Sequence, residues 1–382
     1  MSSKPRASGE TSERRETPLS KKLLLLLCSV LVSALLAEVV VRLAAPKRSY
    51  DEWRRASIRY DYHPDYHWTI RPGEYGNGAQ TIKISPAGTR EPMPPKARVA
   101  GKLRLLCLGG SSTFNHGATK GLTWCVRLGQ ALTKRLGKET EVINAGTPGY
   151  SSYQSSQRYE KQLAAWKPDL VVIYHMWNDL KVFALRDPPA IIKKWDLHGK
   201  FNGGSSLLDP FPFLDGITKY SQALTHARLG WVRAKRAYWN SQRNVDLEGW
   251  TFNKLNGTVE PAALAFFRDN HKRVVDVSKA AGIPTFIVDQ LSLLRPNLPP
   301  QYRRMINYRY IGFTHDVAVD AVRQGRKVLD ELATAEPKVF RIKTDQIPVG
   351  PQIMRDHVHL TDQGLAVLAG AMANGILAVW KP

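Results

Sequence analysis

Acyl transfer needs a nucleophile, a base, a carboxylate that orients the base, and donors for the oxyanion. The chain holds a candidate for each. Ser111 follows LRLLCLGG at residues 103–110, an apolar run that breaks at two glycines. A buried strand ending in such a turn presents a hydroxyl at the carboxyl edge of a sheet. Asp356 and His359 share the segment DHVH. At that spacing a carboxylate and an imidazole meet within one turn, and the carboxylate fixes the tautomer and stabilises the charged ring. Asn178, in HMWND, offers a neutral amide donor. Gly146 and Gly149, in NAGTPGYSS, offer backbone N–H groups. Each feature also has a plainer reading. Gly-Gly-Ser is ordinary turn chemistry, and Asn178 with Asp179 can simply cap a helix. His116, His175, His357 and His359 suggest a metal by type, but no HExxH or paired-cysteine spacing accompanies them. No metal and no cofactor are expected.

The elements that must position these residues alternate. Strands are expected at 103–108, 141–144, 169–174, 283–289 and 339–342. Helical spacing covers 123–136, 153–166, 262–281, 317–332 and 362–379. Apolar strands alternating with helices predict an α/β domain with a parallel sheet covered on both faces. Ser111, residues 144–150 and residues 175–179 then all follow strands. The alternation breaks between about 181 and 260. This insertion carries Trp195, Trp231, Trp239 and Trp250 among many Lys and Arg. A stretch of that length reads as a lid or binding element, although each tryptophan could equally fill a local core.

The chain of 382 residues, 43% hydrophobic, suffices for one large domain or two small ones. Lys plus Arg (55) exceed Asp plus Glu (33) by 22. Such a balance suits anionic surroundings or a plainly solvated basic face. Cys28, Cys107 and Cys125 make neither a disulfide framework nor a zinc pattern, though one bridge between Cys107 and Cys125 is conceivable. Residues 1–22 read as a disordered polar tail. Residues 23–41 carry one charge, Glu38, with Arg42 one helical turn beyond. Nineteen helical residues span roughly 28 Å, close to a bilayer core. The run is long for a signal peptide, so a retained anchor over 23–44 is expected, with LAAP at 43–46 as a weak cleavage site. Residues 45–100 read as extended juxtamembrane chain with short strands, for example at 81–85.

GGSST, NAGTPGYSS, the WND at 177–179, and DHVH followed by LTDQG resemble the four sequence blocks of SGNH hydrolases, also called GDSL-like esterases and lipases. Order and spacing match as well as motifs. The resemblance covers about residues 101–382, least well over the insertion. It implies a three-layer α/β/α sandwich with a central parallel sheet, of SGNH or flavodoxin-like type. It implies Ser111 as nucleophile, His359 as general base and then acid, and Asp356 as its partner. The oxyanion hole would take the N–H groups of Ser111 and Gly149 and the side-chain amide of Asn178. Two positions depart from the family pattern: Gly110 replaces an aspartate, and Met176 replaces a glycine. Ser112 neighbours the nucleophile without matching it, and His357 does not fit the DxxH spacing. The apolar segment with Glu38 and Arg42, followed by ISPAGTREP, is similar to membrane-anchored bacterial members.

The expected function is therefore a membrane-anchored serine esterase or lipase-like hydrolase. Its catalytic domain, 101–382, would lie outside the cytoplasm. An O-acetyltransferase acting on a cell-surface glycan and a non-catalytic SGNH-like binding scaffold are the alternatives. Expected partners are an ester substrate, with acylated glycan and lipid among the candidates, and a membrane through residues 23–41. No nucleic acid is expected, although 302–313 mixes Arg and aromatic residues. The substrate-binding residues are not legible.

Overall fold

The computed structural model describes residues 18–48, 58–76, 78–193, 212–242 and 257–382. Trp195, Trp250 and residues 1–17 of the expected tail lie outside the described residues. The first helix, α1 (Leu19–Ala44), starts before the apolar run and takes in Lys21 and Lys22. None of its residues is buried. A helix apolar on all sides needs a non-aqueous surrounding, and α1 is long and apolar enough to cross a membrane.

Two antiparallel hairpins follow. The first pairs β1 (Tyr60–His63) with β2 (His67–Ile70), and the second pairs β3 (Gly73–Tyr75) with β4 (Ile82–Ile84). Ile70, Tyr75, Ile82 and Ile84 form a small core together with Phe114, which belongs to the turn after the next strand. The segment expected to be extended chain is thus folded against the main domain. Its partners are distant in sequence, so no local periodicity announces them.

The central sheet begins with β5 (Leu103–Gly109), whose residues are all buried. It leads directly into a single turn, α2 (Ser111–Phe114), and then α3 (Trp124–Leu136). Thr123 caps α3 by accepting from the Val126 N–H at 3.3 Å. Next come β6 (Thr140–Asn144), α4 (Ser152–Arg158), β7 (Leu170–Tyr174) and α5 (Trp177–Leu180). A capping box between Ser151 and Gln154 starts α4. The helix expected over 153–166 continues beyond α4 as a π turn and a 3₁₀ turn. Within the insertion lie α6 (Asp215–Thr218) and α7 (Gln222–Gln242). The alternation then resumes with α8 (Pro261–Ala280), β8 (Thr285–Val288), α9 (Tyr308–Ile311), α10 (His315–Ala335), β9 (Val339–Ile342) and α11 (Asp362–Val379).

The sheet order is β6-β5-β7-β8-β9, with every neighbouring pair parallel. Helices α3 and α11 pack together as one layer, and α8 packs with α4 and α10 as the other. β5, β7 and β8 are buried along their whole length, which explains their unbroken apolar sequence. Helix α11 is also long and apolar enough to span a membrane, but it packs into the core through Leu365, Leu368, Met372 and Ile376. The strand order reverses between β5 and β7. Open parallel sheets place their sites at such a switch point, beyond the carboxyl ends of the strands.

Candidate active site

Ser111 opens α2 at the end of β5, and its side chain reaches the C-terminal loop. His359 Nε2 lies 2.8 Å from Ser111 Oγ. His359 Nδ1 lies 2.8 Å from Asp356 Oδ2 and 3.0 Å from Oδ1. An ionised carboxylate only accepts, so Nδ1 carries the proton and donates to Asp356. The lone pair of Nε2 is then left to accept from the Ser111 hydroxyl. Asp356 Oδ1 also accepts the backbone N–H groups of Val358 at 2.9 Å and His359 at 2.8 Å. Burial would raise the Asp356 carboxyl, but the bond from His359 and those two N–H groups hold it well below the usual carboxylate range. It therefore stays charged at neutral pH.

The loop that holds this pair is short and cross-tied. The Arg355 N–H donates to the His359 carbonyl at 2.8 Å, and Met354 bridges to Leu360. Thr361 then caps α11 by accepting from the Gly364 N–H at 3.0 Å. The carboxylate and imidazole thus sit on a turn fixed at its exit by the start of a buried helix.

The oxyanion candidates come from the two neighbouring strand ends. Asn178, on α5, donates from Nδ2 to the Tyr150 carbonyl at 2.8 Å. Its Oδ1 accepts from the Tyr310 hydroxyl of α9 at 2.9 Å. The carbonyl can only accept, so it fixes which way the amide points. One proton of Nδ2 remains uncommitted. A Cβ on Gly110 would stand 2.7 Å from Asn178 Nδ2 and 2.9 Å from the Tyr150 carbonyl oxygen. The amide therefore lies hard against the turn that carries Ser111. A Cβ at residue 110 would press on both the amide and the carbonyl that orients it.

Gly149 has φ +84°, which favours glycine, and the Trp68 ring lies 3.2 Å from where its Cβ would be. Trp68 Nε1 donates to the Pro148 carbonyl at 3.3 Å. The Tyr150 hydroxyl donates to the Trp68 carbonyl. The β1–β2 hairpin thus braces this loop. The N–H groups of Ser111 and Gly149 have no hydrogen-bond acceptor among the described residues. Gly146 differs: it is buried, and its N–H donates to Asn144 Oδ1 at 3.0 Å. Met176 takes extended backbone (φ 171°), which any residue adopts. Its side chain packs onto Gly325 of α10.

The remaining candidates separate cleanly. Ser112 is buried and donates to the Val358 carbonyl at 3.2 Å. His357 donates from Nδ1 to the Met305 carbonyl at 3.2 Å and packs on Trp177 with ring centroids 4.2 Å apart. Trp177 is also stacked with Tyr310. Lys181 Nζ lies 3.4 Å from the Gly149 carbonyl and 5.7 Å from the Tyr310 ring centroid. His116 is exposed, in the loop after α2. His175 is buried, with Nε2 2.8 Å from Ser155 Oγ. Asp179 is buried beside it and accepts the Ser152 N–H and hydroxyl at 2.9 and 2.6 Å. Burial raises its carboxyl to about 6. Cys107 and Cys125 are both free thiols. Tyr310 and Trp68 have no sequence signal tying them to the site. Tyr310 sits in the stretch whose composition suggested only a basic, aromatic face.

No family model matches the chain, and no curated protein does either. Among solved structures it is similar to a GDSL-like lipase from Bacteroides thetaiotaomicron, at 15% identity over 74% of this chain and 92% of that one, TM-score 0.38. It is similar to a lipolytic protein of the G-D-S-L family from Desulfitobacterium hafniense, at 11% identity over 72% of this chain and 99% of that one, TM-score 0.38. It is also similar to a lipase/acylhydrolase from Enterococcus faecalis, at 14% identity over 74% and 98%, TM-score 0.39. Identity this low says nothing about substrate.

Proposed function

We propose that the chain is a serine ester hydrolase of the SGNH kind, held to a membrane by α1 with its sheet domain outside the cytoplasm. The observation that carries this reading is the relay from Ser111 through His359 to Asp356, set at the carboxyl ends of the strands. Ser111 Oγ attacks the ester carbonyl while His359 Nε2 takes its proton. Asp356 stabilises the imidazolium that results. The carbonyl oxygen becomes an oxyanion and takes the N–H groups of Ser111 and Gly149 and the free proton of Asn178 Nδ2. One such donor contributes about 3 kcal/mol to the transition state. Collapse expels the alcohol, which receives the proton from His359. Water, deprotonated by the same imidazole, then releases the acid.

The substrate class is a carboxylic ester, with acylated glycan and lipid as the forms a membrane surface offers. Ser111→Ala should reduce hydrolysis of a short aryl ester to the uncatalysed rate while the unfolding temperature holds. An activated phosphonate should label Ser111 in the unmodified chain and nothing in the variant. Undiminished hydrolysis by Ser111→Ala would sink the assignment.

A further inference from the structure

The acidic residue of α1 has a use that an anchor alone does not require. Glu38 Oε2 accepts the Ser221 hydroxyl at 2.8 Å and the Ala223 N–H at 2.9 Å, while Oε1 accepts the Gln222 N–H at 2.9 Å. Arg42 completes the set at 2.5 Å. The first turn of α7 therefore receives its capping anion from the membrane helix. This satisfies orphan N–H groups and places a negative charge at the positive end of the helix dipole. Further ties run alongside. Arg42 donates to the Tyr220 carbonyl at 2.9 Å, and Gln222 exchanges hydrogen bonds with the Arg48 backbone, both at 2.8 Å.

These bonds fix where α6 and α7 stand relative to a bilayer. Residues 23–37, the uncharged part of α1, number fifteen. They would span roughly 22 Å, short of a hydrocarbon core of roughly 30 Å. The apolar layer must reach past Glu38 toward Leu43. An unpaired carboxylate at that depth is costly, and α7 supplies its partners. Ile217 and Tyr220 then come to the membrane boundary, where they are 61% and 72% exposed. Phe213, in the 3₁₀ turn just before α6, is exposed as well. Lys219 Nζ lies 4.7 Å from the Tyr220 ring centroid. An aromatic ring with a lysine that can extend toward headgroups suits that zone.

We propose that α6 and the first turn of α7 form a platform lying in the bilayer interface beside α1, locked there by Glu38. The proposal rests on α1 being a retained anchor. It gives part of the insertion a lipid surface as its partner and explains the single acidic residue of the apolar segment.

The test uses the full chain in phosphatidylcholine–phosphatidylglycerol vesicles, with Cys28→Ser and an environment-sensitive fluorophore on Ile217→Cys. A lipid-borne spin label should quench this fluorophore and aqueous iodide should not. A fluorophore on Thr334→Cys, an exposed position of α10, should behave in the opposite way. Adding Glu38→Leu should restore iodide quenching at position 217 while the chain stays resistant to carbonate extraction. Iodide quenching at 217 with Glu38 intact, in a chain that carbonate does not extract, overturns the platform alone. Release by carbonate overturns the anchor and the platform together. Neither result bears on ester hydrolysis, which is read from a soluble substrate.

Discussion

Asn178 shows how much of a site can hang on one side chain. Its amide is held from both ends, by the Tyr150 carbonyl and the Tyr310 hydroxyl, and only one proton is left for chemistry. Tyr310→Phe removes the hydroxyl and keeps the ring. A hydrogen bond of this kind is worth about 1 kcal/mol, so kcat should fall about fivefold with KM little changed. In an Asn178→Ala background the same change should cost nothing further. Steady-state kinetics on the four variants of the cycle decide it, and full additivity would mean that Tyr310 acts elsewhere. Gly110→Ala tests the other side of the amide. Its Cβ needs space that Nδ2 fills at 2.7 Å. The expected loss approaches the roughly 100-fold that follows removal of an oxyanion donor, with the near-ultraviolet dichroism of the core retained. Wild-type kcat in Gly110→Ala would show that the amide can retreat without cost. Ser111, Asn178, Asp356 and His359 were legible because each lies in a local motif. Tyr310 was not, because its partner is 132 residues away and no local pattern records the pairing.

At the scale of elements, the strand ends do the positioning, and their supports are partly buried polar groups. Asp179 ties α5 to the start of α4 through Ser152. Its carboxyl is raised from the ordinary value of 3.8 to about 6, chiefly by burial. His175 lies 3.8 Å away, but burial holds that imidazole neutral, so it does not compensate a charge on Asp179. Between pH 3.8 and about 6 the folded chain keeps a proton that the unfolded chain has released. Stability contributed at this residue therefore falls as pH rises through that window and levels off above it. The total is roughly 3 kcal/mol. Asp179→Asn keeps an oxygen acceptor for Ser152 and removes the titration. Urea unfolding across the window should show a difference between variant and parent that grows with pH. A constant difference would count against this assignment. The core strands were readable from their unbroken apolar runs, since the central ones are buried on both faces, and the core helices from their spacing. Helix α7 was not, because its first turn is capped by Glu38, far away in sequence on α1, and no local pattern records that contact.

At the scale of the whole molecule, the N-terminal region divides into two parts with different relations to the site. No residue of α1 belongs to either hydrophobic core. The hairpins do belong: Ile70, Tyr75, Ile82 and Ile84 pack on Phe114, in the turn that Ser111 opens. Arg90 is fully buried, and its guanidinium donates to the carbonyls of Phe114 and Asn115. Its backbone N–H donates to the Asn144 carbonyl at 3.0 Å, next to the loop that Trp68 braces. Residues 45–100 read only as extended chain with short strands because hairpins this short carry almost no periodic signal, and their stability comes from the surface they cover. Two truncations separate the parts. A chain starting after residue 46 loses α1 and the cap on α7, yet keeps both hairpins. It should be soluble and hydrolyse a short soluble ester at a rate close to that of the full chain. A chain starting after residue 92 loses Trp68, Arg90 and the small core as well. Loss of that core exposes Phe114, and the carbonyls that Arg90 served are left behind with the turn carrying Ser111. Buried acceptors stripped of a charged donor cost roughly 1–3 kcal/mol each, and loss of the covering strands adds to this. The second chain should unfold at clearly lower temperature and turn over little or no ester. Equal activity in the two would mean that the hairpins merely rest on the domain. Equal loss in both would mean that α1 reaches the site through α6, α7 and the Arg59–Asp215 contact at 3.9 Å.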